Sequence, residues 1–338
     1  MSNDFEPKSS MTRRRMLHHL GVTSVSAVTL AGVAYKASSV LTPTPAYASE
    51  ATPLEGIDVS HATPDLVRLL TGFFAAKNAH DPVKTMSYFS QQKLTYIDGT
   101  LGWAFYTWQD LNALFTQLMP TWPPAARSYP VRILGDTTSA LVFFTDTPEL
   151  FGHEIRTISP INFEDGKVVR WVDYWDGRHF GAADVATLRT PADQFPQDFK
   201  ESTVGETASP IMRQVAAELA QAFATNNAAA AGQLFAPDAV FEDMTLHTQV
   251  IGQLAITGYL QRALPQLPYG YQSAIRHVVG SALGGGYEWT SSIGSVPRGA
   301  LGLELNQQSQ VTRLTAVWDG SLLDDAEFNA QLTLTIEH

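Results

Sequence analysis

Two aspartates are the first candidates for chemistry, because each ends the same short pattern. The pattern is an aromatic residue, one further residue and an aspartate, written Tyr96-Ile97-Asp98 in the first half and Phe241-Glu242-Asp243 in the second. Burial among apolar side chains disfavours the charged form of a carboxyl group and raises its pKa. Such a group suits a general base that takes a proton from a carbon next to a carbonyl. For both aspartates, the alternative is a cap on the loop that follows.

Asp173 is a further candidate acid or base, on the last predicted strand of the first half, residues 167–176. Because side chains alternate along a strand, Trp171, Asp173 and Trp175 share one face. If this face points inward, His153 on the neighbouring strand could pair with Asp173 as a proton shuttle. The alternatives are an exposed histidine at a strand edge and, for Trp175, a structural strand end.

Aromatic and basic side chains in the same regions could bind a flat, apolar molecule that carries a carbonyl group. Arg132 has a twin in Arg276, which suggests either an anchor for a substrate carboxylate or a surface ion pair. The candidate substrate-binding residues are Tyr96, Trp103, Tyr106, Trp171, Trp175, Arg132, His277 and Trp289.

The sequence carries no pattern for a cofactor or a metal ion. It contains no cysteine, which excludes disulfides, thiolate nucleophiles and zinc–cysteine sites. His247 and His277 lie far apart, without an HxH or HxxxE cluster. No phosphate loop, GxSxG motif or dinucleotide fingerprint occurs. We therefore expect neither a cofactor nor a metal.

The elements that must position these residues follow one order in both halves. After a polar lead-in over residues 54–64, apolar residues at a spacing of three or four predict a helix over residues 64–78. Each half reads as two helices, a strand, a third helix and four further strands. Three helices on one face of a curved, mostly antiparallel sheet make a cone. We therefore predict an α+β fold with two repeated cone-shaped α+β-barrel domains.

This repeat divides the chain into four predicted regions. Val131-Arg132-Ile133 matches Ile275-Arg276-His277, and residues 172–177 match residues 315–320, in the same order. The connection between the halves is rich in proline and long, so we expect part of it to pack along the first domain. The predicted regions are a signal peptide over residues 1–48, a first domain over residues 54–181, a linker over residues 182–209 and a second domain over residues 210–338.

The crossing from helix to strand in the second half resembles that of the NTF2-like superfamily, and most nearly its ketosteroid-isomerase and SnoaL-type polyketide-cyclase members. It reads Leu234-Phe235-Ala236-Pro237-Asp238-Ala239-Val240-Phe241-Glu242-Asp243. The resemblance covers nearly all of the chain after residue 48 and implies a tandem of this fold. In the isomerases the aspartate of this motif is the general base, which implies that role for Asp243 and for Asp98. The cyclases place a base aspartate on a late strand, which implies Asp173, with Thr315 at the paired position.

The resemblance also has departures and an implication for assembly. The isomerases use a tyrosine of the first helix and a later aspartic acid as an oxyanion hole. By spacing, these positions fall on Phe74 and Ser159 in the first half and on Leu219 and Leu301 in the second. Neither pair supplies the hydrogen-bond donors that steroid enolisation needs. We therefore expect proton abstraction without steroid isomerisation. Many relatives pair through their sheets, which implies an intramolecular pseudo-dimer, with a further homo-oligomer left open.

The first residues of the chain predict export. Consecutive arginines, Arg13 to Arg15, precede a weakly apolar segment, and Ala46-Tyr47-Ala48 resembles a cleavage site. Paired arginines before Met-Leu resemble a twin-arginine signal, which predicts a periplasmic or secreted protein. An uncleaved anchor is the alternative, although the segment is short for a membrane span. A net charge of −11 argues against nucleic-acid binding and against attraction to an anionic membrane surface.

Together these patterns predict a cofactor-independent acid–base enzyme, a cyclase, isomerase or lyase. Its substrate would be an apolar, carbonyl-bearing small molecule such as a secondary-metabolite intermediate. The candidate catalytic residues are Asp98, Asp173, His153 and Asp243. The alternatives are a non-catalytic periplasmic binder or carrier of a hydrophobic ligand, and a scaffold with both cones filled. The sequence does not specify the substrate.

Overall fold

Each half of the chain folds into a curved sheet with helices on one face, so the predicted α+β class is confirmed. The computed structural model describes residues 56–336, and the predicted signal peptide over residues 1–48 lies outside the described residues. We call residues 58–188 the first cone and residues 210–333 the second cone. Within residues 56–336 no helix combines the length and apolar character that crossing a membrane requires.

The first cone has a seven-stranded sheet in the order β1-β4-β5-β6-β7-β2-β3, in which β1 runs parallel to β4 and β2 parallel to β7. Its first helix buries Leu66, Leu70 and Phe73, which recur at helical spacing, against this sheet. The strands are β1 (Asp58–Ala62), β2 (Thr95–Asp98), β3 (Trp103–Phe105), β4 (Ser128–Gly135), β5 (Ser139–Asp146), β6 (Ile155–Glu164) and β7 (Lys167–Trp175). The helices are α1 (Pro64–Asn78), α2 (Pro82–Met86), α3 (Trp108–Leu118), α4 (Pro148–Phe151), α5 (Gly177–Phe180) and α6 (Ala182–Leu188).

Three segments of the first cone differ from expectation. Residues 58–62, expected as a lead-in, form β1, because their backbone pairs with β4 and makes β1 the edge of the sheet. The aromatic loop after Asp98 contains β3, which pairs with β2. The strand expected from residue 151 begins only at Ile155, because α4 forms first and ends at Gly152 in the left-handed region, with φ of 88°.

The second cone repeats this plan with a six-stranded sheet in the order β10-β11-β12-β13-β8-β9, in which β13 runs parallel to β8. Its strands are β8 (Phe235–Asp243), β9 (Thr248–Ile251), β10 (Ala274–Gly280), β11 (Gly284–Thr290), β12 (Arg298–Leu305) and β13 (Val311–Trp318). The helices that follow α6 along the chain are α7 (Glu201–Val204), α8 (Pro210–Ala224), α9 (Ala228–Gln233), α10 (Gln253–Ala263) and α11 (Asp325–Thr333).

Strand register defines which residues of the two cones are equivalent. Asp98 on β2 lies opposite Asp173 on β7, and Asp243 on β8 lies opposite Ala316 on β13. The residue paired with Asp173 is therefore Ala316, and the expected pairing with Thr315 is wrong by one position. Because a shift of one residue turns a side chain to the other face, Thr315 points away from the helices and bonds Glu242.

The sheet faces that the helices leave uncovered pack against each other. Val172 and Tyr174 of the first cone share one buried cluster with Ala300 and Val317 of the second. Arg170 and Glu288 form a fully buried ion pair across this contact, with 2.6 Å between Nη1 and Oε1. The Tyr174 hydroxyl donates to the same carboxylate at 2.7 Å. The two cones thus share a sheet-to-sheet interface that contains a buried charge pair.

The segment between the cones is ordered by contacts with both of them. It contains α7, and its residues Phe195 and Phe199 are buried in the cluster between the sheets. The carbonyl of Phe199 accepts a hydrogen bond from Arg170 Nε at 2.8 Å. This segment therefore helps to hold the buried arginine of the interface.

Candidate active site in the first cone

The first cone contains a largely apolar cavity between its sheet and helices α1, α3, α5 and α6. Its empty space, counted out through the open mouth, is about 800 Å³. The aromatic walls are Tyr96, Trp103, Phe105, Phe115, Trp122, Phe144, Phe151, Trp175 and Phe180. Four ionisable side chains join them, namely Lys77, Asp98, Asp146 and Asp173.

Asp98 ends β2 at the cavity wall. Its Oδ1 accepts hydrogen bonds from the backbone N–H groups of Thr100 and Leu101, at 2.9 and 2.7 Å, so it caps the following loop. Its Oδ2 accepts from the indole N–H of Trp175 at 3.0 Å. Burial, joined by the charge of Asp173, raises the pKa of Asp98 to about 7 although these donors oppose the shift. Asp98 is therefore both a loop cap and a carboxyl group that titrates near neutral pH.

Asp173 lies beside Asp98 on the neighbouring strand and is held by three donors. Its Oδ2 accepts from the Tyr96 hydroxyl at 2.6 Å, and its Oδ1 from the Ser159 hydroxyl and the Trp171 indole N–H. Burial raises the pKa of Asp173, against these hydrogen bonds and the Lys77 charge, which lower it. Ser159 was not expected as a hydrogen-bond donor of the site, but its hydroxyl donates to Asp173.

A buried ion pair on the same wall was not anticipated from the sequence. Lys77 Nζ lies 3.1 Å from Asp146 Oδ1 and donates to the Ser128 hydroxyl at 2.9 Å. Lys77 follows Phe73 and Phe74 by four and three residues, which places it on the buried face of α1. The sequence signal that could have indicated this ion pair is a lysine on the apolar face of helix α1.

The second cone shows the same motif with its aspartate fully buried. Asp243 Oδ1 caps Thr245 and Leu246, and its Oδ2 accepts from Trp318, as Asp98 does from Trp175. In addition the Tyr269 hydroxyl donates to Oδ2 at 2.7 Å, and Asp243 is fully buried. We therefore assign Asp243 a structural role, which corrects its expected catalytic one.

His153 does not pair with Asp173, so that expectation is wrong. It lies before β6 rather than on a strand, and its side chain is 43% exposed. Its Nε2 lies 3.5 Å from Asp184, and its ring packs on Phe180, with 4.7 Å between ring centroids. The α4 turn, which shifts the start of β6, keeps His153 outside the acid cluster.

The predicted substrate-binding residues divide into two groups. Tyr96, Trp103 and Trp175 line the cavity, and Trp171 reaches it through Asp173. The other four lie elsewhere. Tyr106 donates to the Asp198 carbonyl near the surface, and Arg132 pairs with Glu304 at 3.1 Å. His277 contacts Asn162, and Trp289 is buried in the core of the second cone. The ion-pair alternative thus fits Arg132. Burial lowers the pKa of His277 to about 4.

Comparisons with known proteins give likeness of fold only. No family model matches the chain, and no curated protein does. An NTF-2 like protein of unknown function from Burkholderia xenovorans LB400 is 19% identical over 33% of this chain and 82% of its own, with a TM-score of 0.29. A steroid delta-isomerase from Pseudomonas aeruginosa is 13% identical over 39% and 93%, with a TM-score of 0.31. A protein with a cystatin-like fold from Silicibacter pomeroyi DSS-3 is 15% identical over 37% and 85%, at 0.31. At these scores the fold assignment rests on the strand topology itself.

Proposed function

We propose that the first cone is a cofactor-independent acid–base enzyme that acts on an apolar, carbonyl-bearing small molecule. The observation that carries this proposal is the placement of two carboxyl groups, Asp98 and Asp173, side by side on the wall of an aromatic cavity. Aromatic walls favour a flat apolar body, and a base with a pKa of about 7 is matched to work near neutral pH.

Asp98 is the proposed base, because a lone pair of its Oδ2 remains free after the bond from Trp175. It takes a proton from the carbon next to the carbonyl and returns it to the same or another carbon. Return to another carbon is isomerisation, and attack of the enolate on a second carbonyl is cyclisation. Asp173 raises the pKa of Asp98 and fixes the Tyr96 hydroxyl at the cavity wall.

Proton exchange tests this proposal without knowledge of the natural substrate. A panel of aryl ketones is incubated with the protein in D₂O, and deuterium at the carbon next to the carbonyl is followed by NMR. We expect exchange that Asp98→Asn slows roughly 100-fold or more. If Asp98→Asn and Asp173→Asn both leave a protein-dependent exchange unchanged, the assignment of these residues is wrong.

A second candidate function is non-catalytic binding of a hydrophobic ligand. It is favoured by one observation: the three hydrogen bonds that hold Asp98 recur around the structural Asp243. A carrier would bind the same ketones and protect them from exchange. Tight binding combined with no acceleration of exchange would select this function over the enzyme.

A further inference from the structure

The Lys77–Asp146 pair lies on the cavity wall with donor capacity to spare. The ammonium group of a lysine has three N–H donors, and the Lys77 group uses one on Asp146 and one on Ser128. Both side chains of the ion pair are about 10% exposed, and both line the cavity. One N–H of Lys77 is not used in a hydrogen bond, and the Nζ lies 5.3 Å from the centroid of the Phe144 ring, which also lines the cavity.

The second cone shows that the fold does not require this charge pair. Helices α1 and α8 each have 15 residues and begin with proline, and Lys77 and Phe223 are both next to last. The fully buried Phe223 thus stands where the first cone has Lys77, and its ring lies 6.1 Å from that of Tyr269. Removing two charges from water costs several kcal/mol per ion, so a buried pair that packing does not demand needs another explanation.

Trp122 adds a second donor to the same wall. Its indole nitrogen is buried and has no hydrogen-bond partner within residues 56–336. Unpartnered buried donors are uncommon in folded proteins and call for an explanation. The sequences Pro120-Thr121-Trp122-Pro123 and Pro265-Gln266-Leu267-Pro268 match between the halves, so the second cone has Leu267 instead. At this position only the first cone has a donor, although the Tyr259 hydroxyl and the Trp289 indole of the second cone are also buried without a hydrogen-bond partner within residues 56–336.

We propose that Lys77, assisted by the indole N–H of Trp122, holds the carbonyl oxygen of the substrate and the negative charge that develops there. This inference rests on the proposed function and adds the group that stabilises the enolate. When Asp98 removes the proton, the C–H bond breaks and the proton bonds the carboxylate. The C–H electron pair forms a carbon–carbon double bond, and the carbonyl π pair moves to the oxygen. Donors aimed at such an oxygen act strongly in a site that excludes water.

Stable phenols test this role, because a phenolate oxygen resembles an enolate oxygen. The probes are 4-nitrophenol, at a pH that ionises it in solution, and 4-nitrotoluene, which has the same shape without the oxygen. Binding is measured by quenching of tryptophan fluorescence. We expect the wild-type protein to bind 4-nitrophenolate more tightly than 4-nitrotoluene, and Lys77→Met to weaken only the phenolate about tenfold or more. Trp122→Phe is expected to give a smaller loss of the same kind.

Two further variants keep this test decisive. Lys77→Met leaves Asp146 buried without its cation, and this single variant could fail to fold. Lys77→Met/Asp146→Asn removes both charges, so we expect it to fold where the single variant does not. Lys93→Met makes the same side-chain change at a partly exposed lysine that pairs with Glu164, and we expect it to alter neither affinity. The inference is overturned if the double variant, folded by circular dichroism, keeps the preference for phenolate. It is equally overturned if wild-type protein shows no such preference.

The outcome is separable from that of the exchange assay. If the phenolate preference depends on Lys77 but no ketone exchanges its proton, the enzyme proposal fails and an oxygen-binding cavity remains. If exchange depends on Asp98 but Lys77 has no influence on phenolate binding, the base is retained and the oxyanion role of Lys77 is rejected.

Discussion

Asp98 shows how one carboxyl group can serve the fold and the chemistry together. Its Oδ1 caps two backbone N–H groups, which fixes the carboxylate plane at the cavity wall. Its Oδ2 meets the Trp175 indole and keeps capacity for one more proton. A base that the loop itself holds in position loses little freedom when it acts, which favours proton transfer.

The pKa of Asp98 predicts how exchange depends on pH. A base acts in its deprotonated form, and burial raises the pKa of Asp98 from 3.8 to about 7. We therefore expect the exchange rate to rise with pH, to be half-maximal near pH 7 and to level off above it. The profile is measured on a single ketone between pH 5 and 9. A rate already at its plateau at pH 5 would contradict a raised pKa.

Elements explain why some site residues could be predicted and others could not. Alternation along β7 was enough to place Trp171, Asp173 and Trp175 on one face. That this face is the one toward the cavity is seen only in the fold, because both faces of β7 are buried. The helical turn α4 was not recognised, so His153 was expected on a strand that begins two residues later. Lys77 was not predicted as a site residue, because a charged residue on an apolar helix face has no evident role until its partner is known. That partner, Asp146, lies 69 residues away in sequence.

The repeat of elements makes Asp243 a matched control for Asp98. Asp243→Asn would replace an acceptor with an amide N–H opposite the Tyr269 hydroxyl or the Trp318 indole, leaving a buried donor without a partner. We expect a loss of about 1–3 kcal/mol in the free energy of unfolding and no change in ketone exchange by the remaining folded protein. Urea denaturation and the exchange assay measure the two effects. A loss of exchange without a loss of stability would mean that the second cone does the chemistry.

At the scale of the whole molecule, the two cones differ in content although they share a plan. The first cone keeps charged side chains around a cavity, and the second has filled the equivalent space with aromatic rings such as Phe223, Tyr269 and Trp289. The filled cone covers the outer face of the first sheet, where Arg170 meets Glu288. We infer that the second cone supports the first, whose sheet holds the candidate base.

The buried pair between the cones gives a prediction for this support. Arg170→Met leaves Glu288 buried without its cation, so we expect the free energy of unfolding to fall by about 3–5 kcal/mol. Arg170→Met/Glu288→Leu should lose less, because no charge remains buried. Chemical denaturation of the two variants beside the wild type measures the difference. Equal stability of wild type and Arg170→Met would show that the pair does not hold the sheets together.

The most direct test of the central claim compares the twin aspartates in one assay. Deuterium incorporation into an aryl ketone is followed for wild type, Asp98→Asn and Asp243→Asn under identical conditions. The base assignment predicts that Asp98→Asn loses exchange roughly 100-fold or more while Asp243→Asn, corrected for folded protein, retains the wild-type rate. Equal rates in wild type and Asp98→Asn would contradict the claim that the first cone holds the catalytic base.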